Sequence, residues 1–407
     1  MPDLADGSAL DGIFAATREQ FYLPDGVIYL DGNSLGPMTH ASRERVATET
    51  GAHWGEQLIK AWNTAGWIDL PAQVGDRIAK LIGAPAGTVT SVDSTSVNLF
   101  KVLTAALQLV EERTVILSDS GNFPTDLYVA QGVIRLLGGE FELRVVEPEG
   151  VAEAIDDSVA VLMLTQVDYR TGRLHDMARL TERAHASGAI TIWDLAHSVG
   201  ALPVDLTGVR ADFAIGCGYK YLNGGPGAPS FVYIRPDLAE ELQPVLCGWL
   251  GHAEPFAFDS EYRPARGIDC MCVGTPPVLS LAALDAALEV WDSVDIADVR
   301  ARSIELSELF IAEVEARCPD LDFASPRNPD SRGSQVSFRH PEGYAVMQAL
   351  IGQGVIGDFR TPDLMRFGFA PLYVRPEDVR RATEILGTVL AERLWDRPEF
   401  RQKNKVT

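Results

Sequence analysis

A lysine and an aspartate stand just beyond two apolar runs that have the composition of buried strands. Asp194 directly follows the run AITIW, and Lys220 lies further on in GYKYLNGGPG, just past the run AIGCG. Ligands of an open parallel sheet bind beyond the carboxyl ends of its strands, so both side chains should project from one edge of the sheet. An amine and a carboxylate placed together in this way suit chemistry on an aldehyde whose ring carries a basic nitrogen.

Pyridoxal 5′-phosphate needs both of these groups. Its aldehyde condenses with a lysine, and an acidic side chain keeps its pyridine nitrogen protonated so that the ring can accept electrons. A nearby carboxylate raises the pKa of that nitrogen because its charge is opposite. The glycines after Lys220 support this prediction, since close backbone approach to a ligand needs residues without side chains. Taken singly, a lysine near a glycine run is usually a surface residue, and an aspartate after a strand is usually an N-cap or turn former.

Three consecutive hydroxyl residues precede a predicted amphipathic helix that begins near Val97. They are Ser94, Thr95 and Ser96. The free N–H groups and the dipole of a helix N-terminus favour an anion. Capping the helix would need only one of the three hydroxyls. The cluster therefore predicts a phosphate site together with a cap.

The string NFPTD follows the predicted strand TVILS and opens a helix at another strand end. Its Phe123 could lie on an aromatic cofactor ring in an offset-stacked contact. A core phenylalanine at a helix start is the alternative, and only the lysine elsewhere in the chain favours the stacking role.

The elements that position these residues alternate between strand and helix through the first two thirds of the chain. Val159–Thr165 is an apolar run typical of a central parallel strand, and Asp176–Ser187 is an amphipathic helix closed by a glycine. The other predicted strands are Thr114–Ser118, Leu143–Val146, Ala189–Trp193, Asp212–Gly216 and Ser230–Ile234, with a helix over Phe123–Gly138. This alternation predicts an α/β fold with a mainly parallel sheet covered by helices.

The last third mixes helices and strands differently and predicts a smaller α+β domain. Pro276–Ala316 is almost continuously compatible with a helix. Further predicted elements are strands at Gln335–Arg339 and Val355–Arg360 and helices near Tyr344–Gln353 and from Pro376 to about Trp395. We predict an N-terminal arm over residues 1–45 that packs on the small domain, a large domain over 46–255, and a connection with the small domain over 256–407.

Composition excludes several classes of protein. The chain has 407 residues, with 35 basic and 57 acidic side chains and a net charge of −22. This balance argues against nucleic-acid binding, which needs a basic footprint, and against an anionic membrane surface. Five irregularly spaced cysteines indicate reduced thiols in the cytosol, and the pair Cys270 and Cys272 lacks the second pair of ligands that zinc needs. We expect a soluble, cytoplasmic protein that binds a small molecule and no metal.

Several strings together resemble fold type I pyridoxal-phosphate enzymes of aminotransferase class V. They are the hydroxyl cluster, NFPTD, WDLAHSVG and GYKYLNGGPG. The chain is most similar to the kynureninase family, which hydrolyses L-kynurenine to anthranilate and L-alanine, and YLDGNSLG, CGWLGH and RFGFAPLY support this resemblance. It runs from about Tyr29 to about Trp395.

The resemblance implies a role for each residue of the cofactor site. Lys220 would hold the cofactor and shuttle protons, Asp194 would pair with the pyridine nitrogen, and Phe123 would stack on the ring. The phosphate would be bound by Thr95, Ser96 and Tyr219, with Trp249 and Thr275 reaching it from the second subunit of a homodimer. The pocket would also include Pro124, Thr125, Asp126, Asp168 and His197.

The resemblance also implies how the substrate binds. Arg366 would grip its carboxylate, because a planar guanidinium can form two hydrogen bonds with a carboxylate, and Arg360 is a rival for that role. Tyr219 beside the lysine could donate or relay a proton. The aryl pocket should be aromatic, and its candidates are Trp62, Trp67 and Trp249, of which the first two are equally well packing residues. Kynurenine and 3-hydroxykynurenine are not distinguished.

Three alternatives stay open. A cysteine desulfurase needs a mobile cysteine on a late loop, but SPRNPDSRGS at 325–334 has none and Cys318 precedes a proline at a helix end. A class V aminotransferase is separated less cleanly by the sequence. A non-catalytic acidic scaffold would have no need of both Lys220 and Asp194.

Overall fold

A seven-stranded sheet, here called the large sheet, is the centre of the fold. The computed structural model describes residues 7–240 and 242–403. The strands of the large sheet lie in the order Val89–Ser91, Ser230–Ile234, Phe213–Cys217, Ile190–Asp194, Val159–Thr165, Val115–Asp119 and Glu142–Val146. The last five are parallel to one another, and the first two pair antiparallel with their neighbours. The predicted mainly parallel sheet is confirmed.

Apolar composition explains why Val159–Thr165 is central in this sheet. Every residue of this strand is buried, because helices cover both of its faces. Its last residue, Thr165, pairs in register with Asp194, and Asp194 pairs with Ile215. The register therefore places Asp194 at the carboxyl end of its strand, as predicted.

Helices cover both faces of the large sheet. One face packs on Leu70–Leu81, Met177–Ala186 and Val278–Ala287. The opposite face packs on Thr95–Gln108 and Pro124–Leu136. The core is thus split into two apolar layers, and the carboxyl edge of the sheet lies between them.

A second sheet of four antiparallel strands, here called the small sheet, follows in the chain. Its order is Asp358–Arg360, Leu364–Gly368, Gln335–Arg339 and Asp322–Phe323. Helices Ile296–Arg317, Gly343–Gly352 and Pro376–Ala391 contribute to its apolar core. The α+β character predicted for the last third is confirmed.

Two predicted elements of the last third are wrong in detail. The single strand predicted over Val355–Arg360 is two short strands, because the chain turns at Gly357 from pairing with Ile28–Tyr29 to pairing in the small sheet. A side chain at Gly357 would lie 2.7 Å from the Arg366 carbonyl oxygen, so the turn needs glycine. The predicted continuous helix breaks at residues 293–295, where Asp295 caps the following helix by accepting a hydrogen bond from the Ala297 N–H.

The N-terminal segment packs against the core of the small sheet. Its helix Gly7–Arg18 carries Phe14, and Phe21 and Leu30 follow in the same apolar cluster. Thr17 Oγ1 donates a hydrogen bond of 2.9 Å to the Leu372 carbonyl. Residues 1–6 of the predicted arm lie outside the described residues, and the domain limits remain predictions.

The remaining elements are short, apart from helix His40–Thr48 and the π-helix Glu49–Gln57 that continues it. The other helical segments are Leu58–Lys60, Ala61–Thr64, Pro148–Gly150, Val151–Ala154, Pro236–Ala239, Trp249–Gly251, Pro255–Ala257, Gly267–Met271, Leu288–Asp292, Pro329–Ser331 and Pro398–Arg401. Among the described residues, no helix combines the length and the apolar character that a bilayer crossing requires.

Candidate active site

A cavity of about 810 Å³ opens at the carboxyl edge of the large sheet. Its volume is in the usual range for small-molecule sites, about 300 to 1,000 Å³. The residues predicted from the sequence that line it are Ser94, Thr95, Ser96, Phe123, Thr125, Asp126, Asp194, His197, Tyr219, Lys220, Thr275, Arg360 and Arg366. Groups from distant parts of the chain therefore meet in one place.

Lys220 and His197 contact each other at the base of this cavity. The Lys220 Nζ lies 2.9 Å from the His197 Nε2. Burial and the charge of Lys220 hold the pKa of His197 well below its usual range. The imidazole is therefore neutral, and its Nε2 accepts a hydrogen bond from the lysine.

Two buried carboxyl groups, Asp126 and Asp194, interact side by side behind the lysine. Burial and the neighbouring Asp194 raise the pKa of Asp126 well above its usual range. Burial raises the pKa of Asp194 too, but Lys220 and the Ala196 N–H, 2.6 Å from its Oδ1, stabilise its charge. The proton of the pair accordingly lies on Asp126, and Asp194 is the ionised partner.

The hydroxyl cluster lies at the start of a helix, as predicted. Helix Thr95–Gln108 begins on the cavity wall, and Ser94 caps it by accepting a hydrogen bond of 3.4 Å from the Val97 N–H. Thr95 and Ser96 are the first two helical residues, so their N–H groups have no acceptor within the helix. Their hydroxyls and N–H groups form an anion site that the cap leaves available.

Phe123 presents a partly exposed ring to the cavity, with 43% of its surface accessible. Its other contact is edge-on with Tyr169, at 5.1 Å between ring centroids. Asn122 holds the backbone in place, because its Oδ1 accepts hydrogen bonds from the Phe123 N–H at 2.7 Å and from Thr165 Oγ1 at 2.5 Å. Pro124 begins the helix behind this ring and does not line the cavity.

Arg366 is held by Asp358 on the neighbouring strand of the small sheet. Its Nε donates to Asp358 Oδ1 at 2.6 Å, and its other donors reach the second Asp358 oxygen, Ser34 Oγ and the Tyr169 carbonyl. Arg360 approaches the same carboxylate at 2.8 Å and remains partly exposed. The two guanidinium groups hold the pKa of Asp358 below its usual range.

The two carboxyl groups near the arginines have pKa values shifted in opposite directions. Burial and Asp358 raise the pKa of the nearby Asp31 to about 7, so Asp358 is the one carboxylate here whose ionised form is favoured. Two guanidinium groups therefore face the cavity with one firmly ionised partner. A ligand carboxylate could bind these guanidinium groups as a second negatively charged partner.

The string YLDGNSLG of the N-terminal segment contacts both sides of the site. Ser34 Oγ donates to Asp358 Oδ2 at 2.6 Å. The Gly36 N–H donates to the Tyr219 carbonyl at 2.8 Å, and a side chain at Gly36 would lie 2.3 Å from the Lys220 carbonyl oxygen. The string is recognisable in the sequence, but the contacts of Ser34 and the role of Asp358 have no local signal there.

Some residues implied by the resemblance lie elsewhere. Asp168 lines a separate hollow of about 380 Å³, and its Oδ1 accepts from the backbone N–H groups of Arg170 and Thr171 at 2.8 and 2.6 Å. The structure places this carboxylate within its own turn and away from the wall of the larger cavity, and the pocket role of Asp168 stays a prediction.

None of the three candidate tryptophans lines the cavity of its own chain, and the contribution expected of Trp249 from a second subunit stays a prediction. Trp62 and Trp67 pack edge to face, 5.6 Å apart, on the core of the large sheet, which confirms the packing alternative. Trp249 is 40% exposed, packs against Phe256, and does not line the cavity. Thr275 lines the cavity of its own chain, whereas the resemblance implied the second subunit. Among the described residues, no cluster of His, Cys, Asp and Glu could hold a metal ion.

The residues on the wall fit pyridoxal 5′-phosphate. A free amine, a buried ionised carboxylate, an exposed aromatic face and a helix N-terminus with free N–H groups line one cavity. These groups match the chemistry of the cofactor, because its aldehyde needs an amine, its ring nitrogen an anion and its phosphate free N–H donors. No cysteine lies on this wall in the described part of the chain.

Comparison with known proteins agrees with this site. A family model described as the kynureninase C-terminal domain matches residues 299–386. A kynureninase of Pseudomonas fluorescens is 50% identical over 400 residues, with 97% of this chain and 96% of the relative covered. A kynureninase of Burkholderia pseudomallei (strain 1106a) is 48% identical over 404 residues, with 98% and 97% covered.

A solved structure with the same fold is far less similar in sequence. It is the apo cysteine desulfurase of Thermococcus onnurineus NA1, with a TM-score of 0.79 and 18% identity over 93% of this chain and 98% of that one. This likeness shows the fold. The identity to the curated relatives over nearly the whole length shows more, and the chain belongs to the kynureninase family.

Proposed function

We propose that the protein is a pyridoxal-phosphate-dependent hydrolase that cleaves the Cβ–Cγ bond of L-kynurenine to give anthranilate and L-alanine. Family membership supports the reaction. The observation that carries the proposal within the structure is the contact of 2.9 Å between Lys220 Nζ and His197 Nε2, in one cavity with Asp194 and two arginines.

The cofactor, when bound, supplies an aldehyde for the substrate amine and a ring that takes up the electron pair of the broken bond. Lys220 Nζ is the amine that would hold it, and once released by the substrate this Nζ would remove and return protons. His197 stays neutral and accepts a hydrogen bond from Lys220, which orients the Nζ in the cavity.

Asp194 and Asp126 would act together on the ring nitrogen. Asp194 keeps the negative charge of the pair, and Asp126 keeps the proton. A cationic ring nitrogen facing Asp194 would thus have one ionised carboxylate as its partner and would avoid the cost of two buried negative charges.

Thr95, Ser96 and Tyr219 would bind the phosphate. The neighbouring Cys217 thiol, burial and Asp194 raise the pKa of the Tyr219 phenol above its usual value, so it stays protonated and donates. Water supplies the oxygen that makes Cγ the carboxylate of anthranilate, and the same protonated phenol beside Lys220 is the candidate proton donor to Cβ, which keeps the electron pair of the broken bond.

Arg366 and Arg360 would share the substrate carboxylate. A guanidinium has five N–H donors. In Arg366, Asp358, Ser34 and the Tyr169 carbonyl accept from four of them. The fifth can reach a ligand, so the second hydrogen bond to the carboxylate comes from the partly exposed Arg360.

A second copy of the chain would complete the assembly. Trp249, Phe256 and Phe258 form an exposed aromatic cluster, and Leu58 and Ile59 are exposed on another segment. Contiguous exposed apolar groups are typical of interfaces, which supports the homodimer implied by the resemblance. The five free cysteines are typical of a reducing compartment, and we propose a cytoplasmic location.

The test is a fluorescence assay for anthranilate with purified protein, added pyridoxal phosphate and L-kynurenine. A parallel reaction with 3-hydroxykynurenine measures substrate preference, and Lys220→Ala is the inactive control. Formation of no product from either substrate by cofactor-loaded protein would contradict the proposal. L-Cysteine as a third substrate tests the desulfurase alternative, which the absence of a cysteine among the described cavity-lining residues disfavours.

A further inference from the structure

Lys101 is a buried charge that the proposed reaction does not use. It lies in the second turn of helix Thr95–Gln108, and its side chain has 0% exposure. Lysine is almost never fully buried unless it is paired. Its Nζ lies 2.8 Å from Asp93 Oδ2 and 2.7 Å from the Met271 carbonyl oxygen.

Asp93 is a negative charge at an unfavourable place. It lines the cavity directly before Ser94, Thr95 and Ser96, where the phosphate of the cofactor would bind. A carboxylate beside a phosphate dianion is repulsive and lowers affinity. The ammonium of Lys101 contacts the Asp93 carboxylate and offsets its negative charge, which reduces this repulsion.

The backbone at Asp93 also needs support. Its φ of 49° lies in the left-handed region, which is uncommon for residues other than glycine and is tolerated by Asp and Asn. The Asp93 carbonyl accepts from the Ser230 N–H at 2.9 Å, and the ion pair with Lys101 holds its side chain. Both the backbone and the side chain of Asp93 are therefore held in place at the start of the helix.

The contact of Lys101 with Met271 links the ammonium to a segment that continues to the cavity wall. Met271 ends the short helix Gly267–Met271, and the chain continues from there to Thr275 and Pro277 on the wall. One ammonium group thus joins the segment before the helix N-terminus to the segment that carries Thr275 and Pro277.

We propose that Lys101 is a positioning residue for the phosphate of the cofactor, which neutralises Asp93 beside the anion site and ties that site to the segment ending at Thr275. The inference rests on the proposed binding of pyridoxal phosphate. Lys101 and Asp93 make no contact with the reacting atoms, and the proposal assigns their ion pair a role in the affinity for the phosphate.

The experiment measures dissociation constants of pyridoxal phosphate and of pyridoxal, which lacks the phosphate, for apoprotein variants. Lys101→Met should weaken pyridoxal phosphate binding by about tenfold or more and leave pyridoxal binding nearly unchanged, since one uncompensated charge is added near the phosphate. Asp93→Asn should bind pyridoxal phosphate at least as tightly as the parent. The double variant should recover most of the affinity lost in Lys101→Met.

Lys80→Met, which removes an exposed lysine, is the matched control. The unfolding midpoint of each apoprotein separates loss of fold from loss of affinity. If Lys101→Met does not fold, Asp93→Asn alone decides, because weaker phosphate-dependent binding in that variant overturns the proposal. Equal affinity of Lys101→Met and the parent, or no recovery in the double variant, also overturns it. Failure of the parent protein to bind pyridoxal phosphate would instead refute the proposed function.

Discussion

The Nζ of Lys220 and the Nε2 of His197 lie 2.9 Å apart although the two residues follow different strands of the large sheet. Parallel pairing of Ile190–Asp194 with Phe213–Cys217 brings the two strand ends side by side. The position of the reactive amine is therefore set by a neighbouring imidazole, and the charge state of that imidazole affects both stability and chemistry.

Replacing Lys220 should abolish the reaction. In Lys220→Ala no side-chain amine remains to hold the cofactor or move protons, and we expect a loss of activity on the order of 10³-fold or more. Lys220→Arg should be similarly inactive, because its guanidinium stays protonated. The measurements are anthranilate formation and the visible absorbance of the cofactor-loaded protein. Activity within tenfold of the parent in either variant would contradict the role of Lys220.

His197 should make the apoprotein less stable in acid. Its folded pKa lies well below its ordinary value of about 6.5. The unfolded chain therefore binds a proton that the folded chain excludes, and stability is lost as pH falls below about 6.5. His197→Phe lacks this group, so its free energy of unfolding should fall less than that of the parent between pH 7.5 and pH 5. Denaturant titrations at both values check the sign, and identical pH dependence would show that His197 is not buried neutral.

Asp126 should have the opposite effect. Its folded pKa lies well above the ordinary value, so the folded chain binds the proton more tightly, and the stability it contributes is lost as pH rises toward that folded pKa. Asp126→Asn keeps the shape without the ionisation, and we expect the variant to gain stability relative to the parent as pH rises from 4 to 7. The amide N–H of the same variant can still donate a hydrogen bond to Asp194, so activity should be largely retained. If the variant instead gains stability relative to the parent as pH falls from 7 to 4, the proton does not lie on Asp126.

Asp358 should affect substrate binding more than turnover. Asp358→Asn leaves the buried Arg366 without its ionised partner, and breaking such a pair typically costs about 3 to 5 kcal/mol. Arg366 would then lose the contact that orients its guanidinium. We therefore expect KM for L-kynurenine to rise at least tenfold, with a smaller change in kcat. Asp363→Asn is the matched control, because Asp363 pairs with Arg339 at the surface of the same sheet. Equal effects on kcat and KM would indicate general loss of structure.

Gly36 should not tolerate a side chain. A Cβ there would lie 2.3 Å from the Lys220 carbonyl oxygen and from Asn223 Oδ1. Gly36→Ala must therefore displace the lysine loop, at a cost of about 1 to 3 kcal/mol. Gly51→Ala, with nothing within 4 Å of its Cβ, is the control. The free energy of unfolding, measured by denaturant titration, and kcat should both fall in Gly36→Ala and stay unchanged in Gly51→Ala.

Much of the catalytic half of the site is predictable from local sequence. Asp194 and Lys220 follow apolar runs, and the rule that parallel strands end at one edge is enough to bring them together. Ser94, Thr95 and Ser96 are recognisable because a helix start has a local signature. The strands Val159–Thr165, Ser230–Ile234 and Gln335–Arg339 have the predicted bounds, since their apolar runs are bordered by turn residues.

The substrate half depends on contacts that no local pattern encodes. The strand Leu364–Gly368 that carries Arg366 was not predicted, and the pairing that places Asp358 opposite Arg366 is visible only in the folded small sheet. Asp168 follows a strand as Asp194 does, yet its own turn satisfies its carboxylate. A position after a strand therefore indicates a candidate site residue. The orientation of the following turn decides whether that side chain faces the ligand.

Three consecutive residues of the N-terminal segment link the small sheet to the lysine loop of the large sheet. Ser34 contacts the arginine cluster, and Gly36 contacts the backbone of the lysine loop. The intervening Leu35 gives this span a fixed length of peptide. An insertion between Ser34 and Gly36 would break at least one of these two contacts, so the small sheet and the lysine loop would lose a direct link across the cavity.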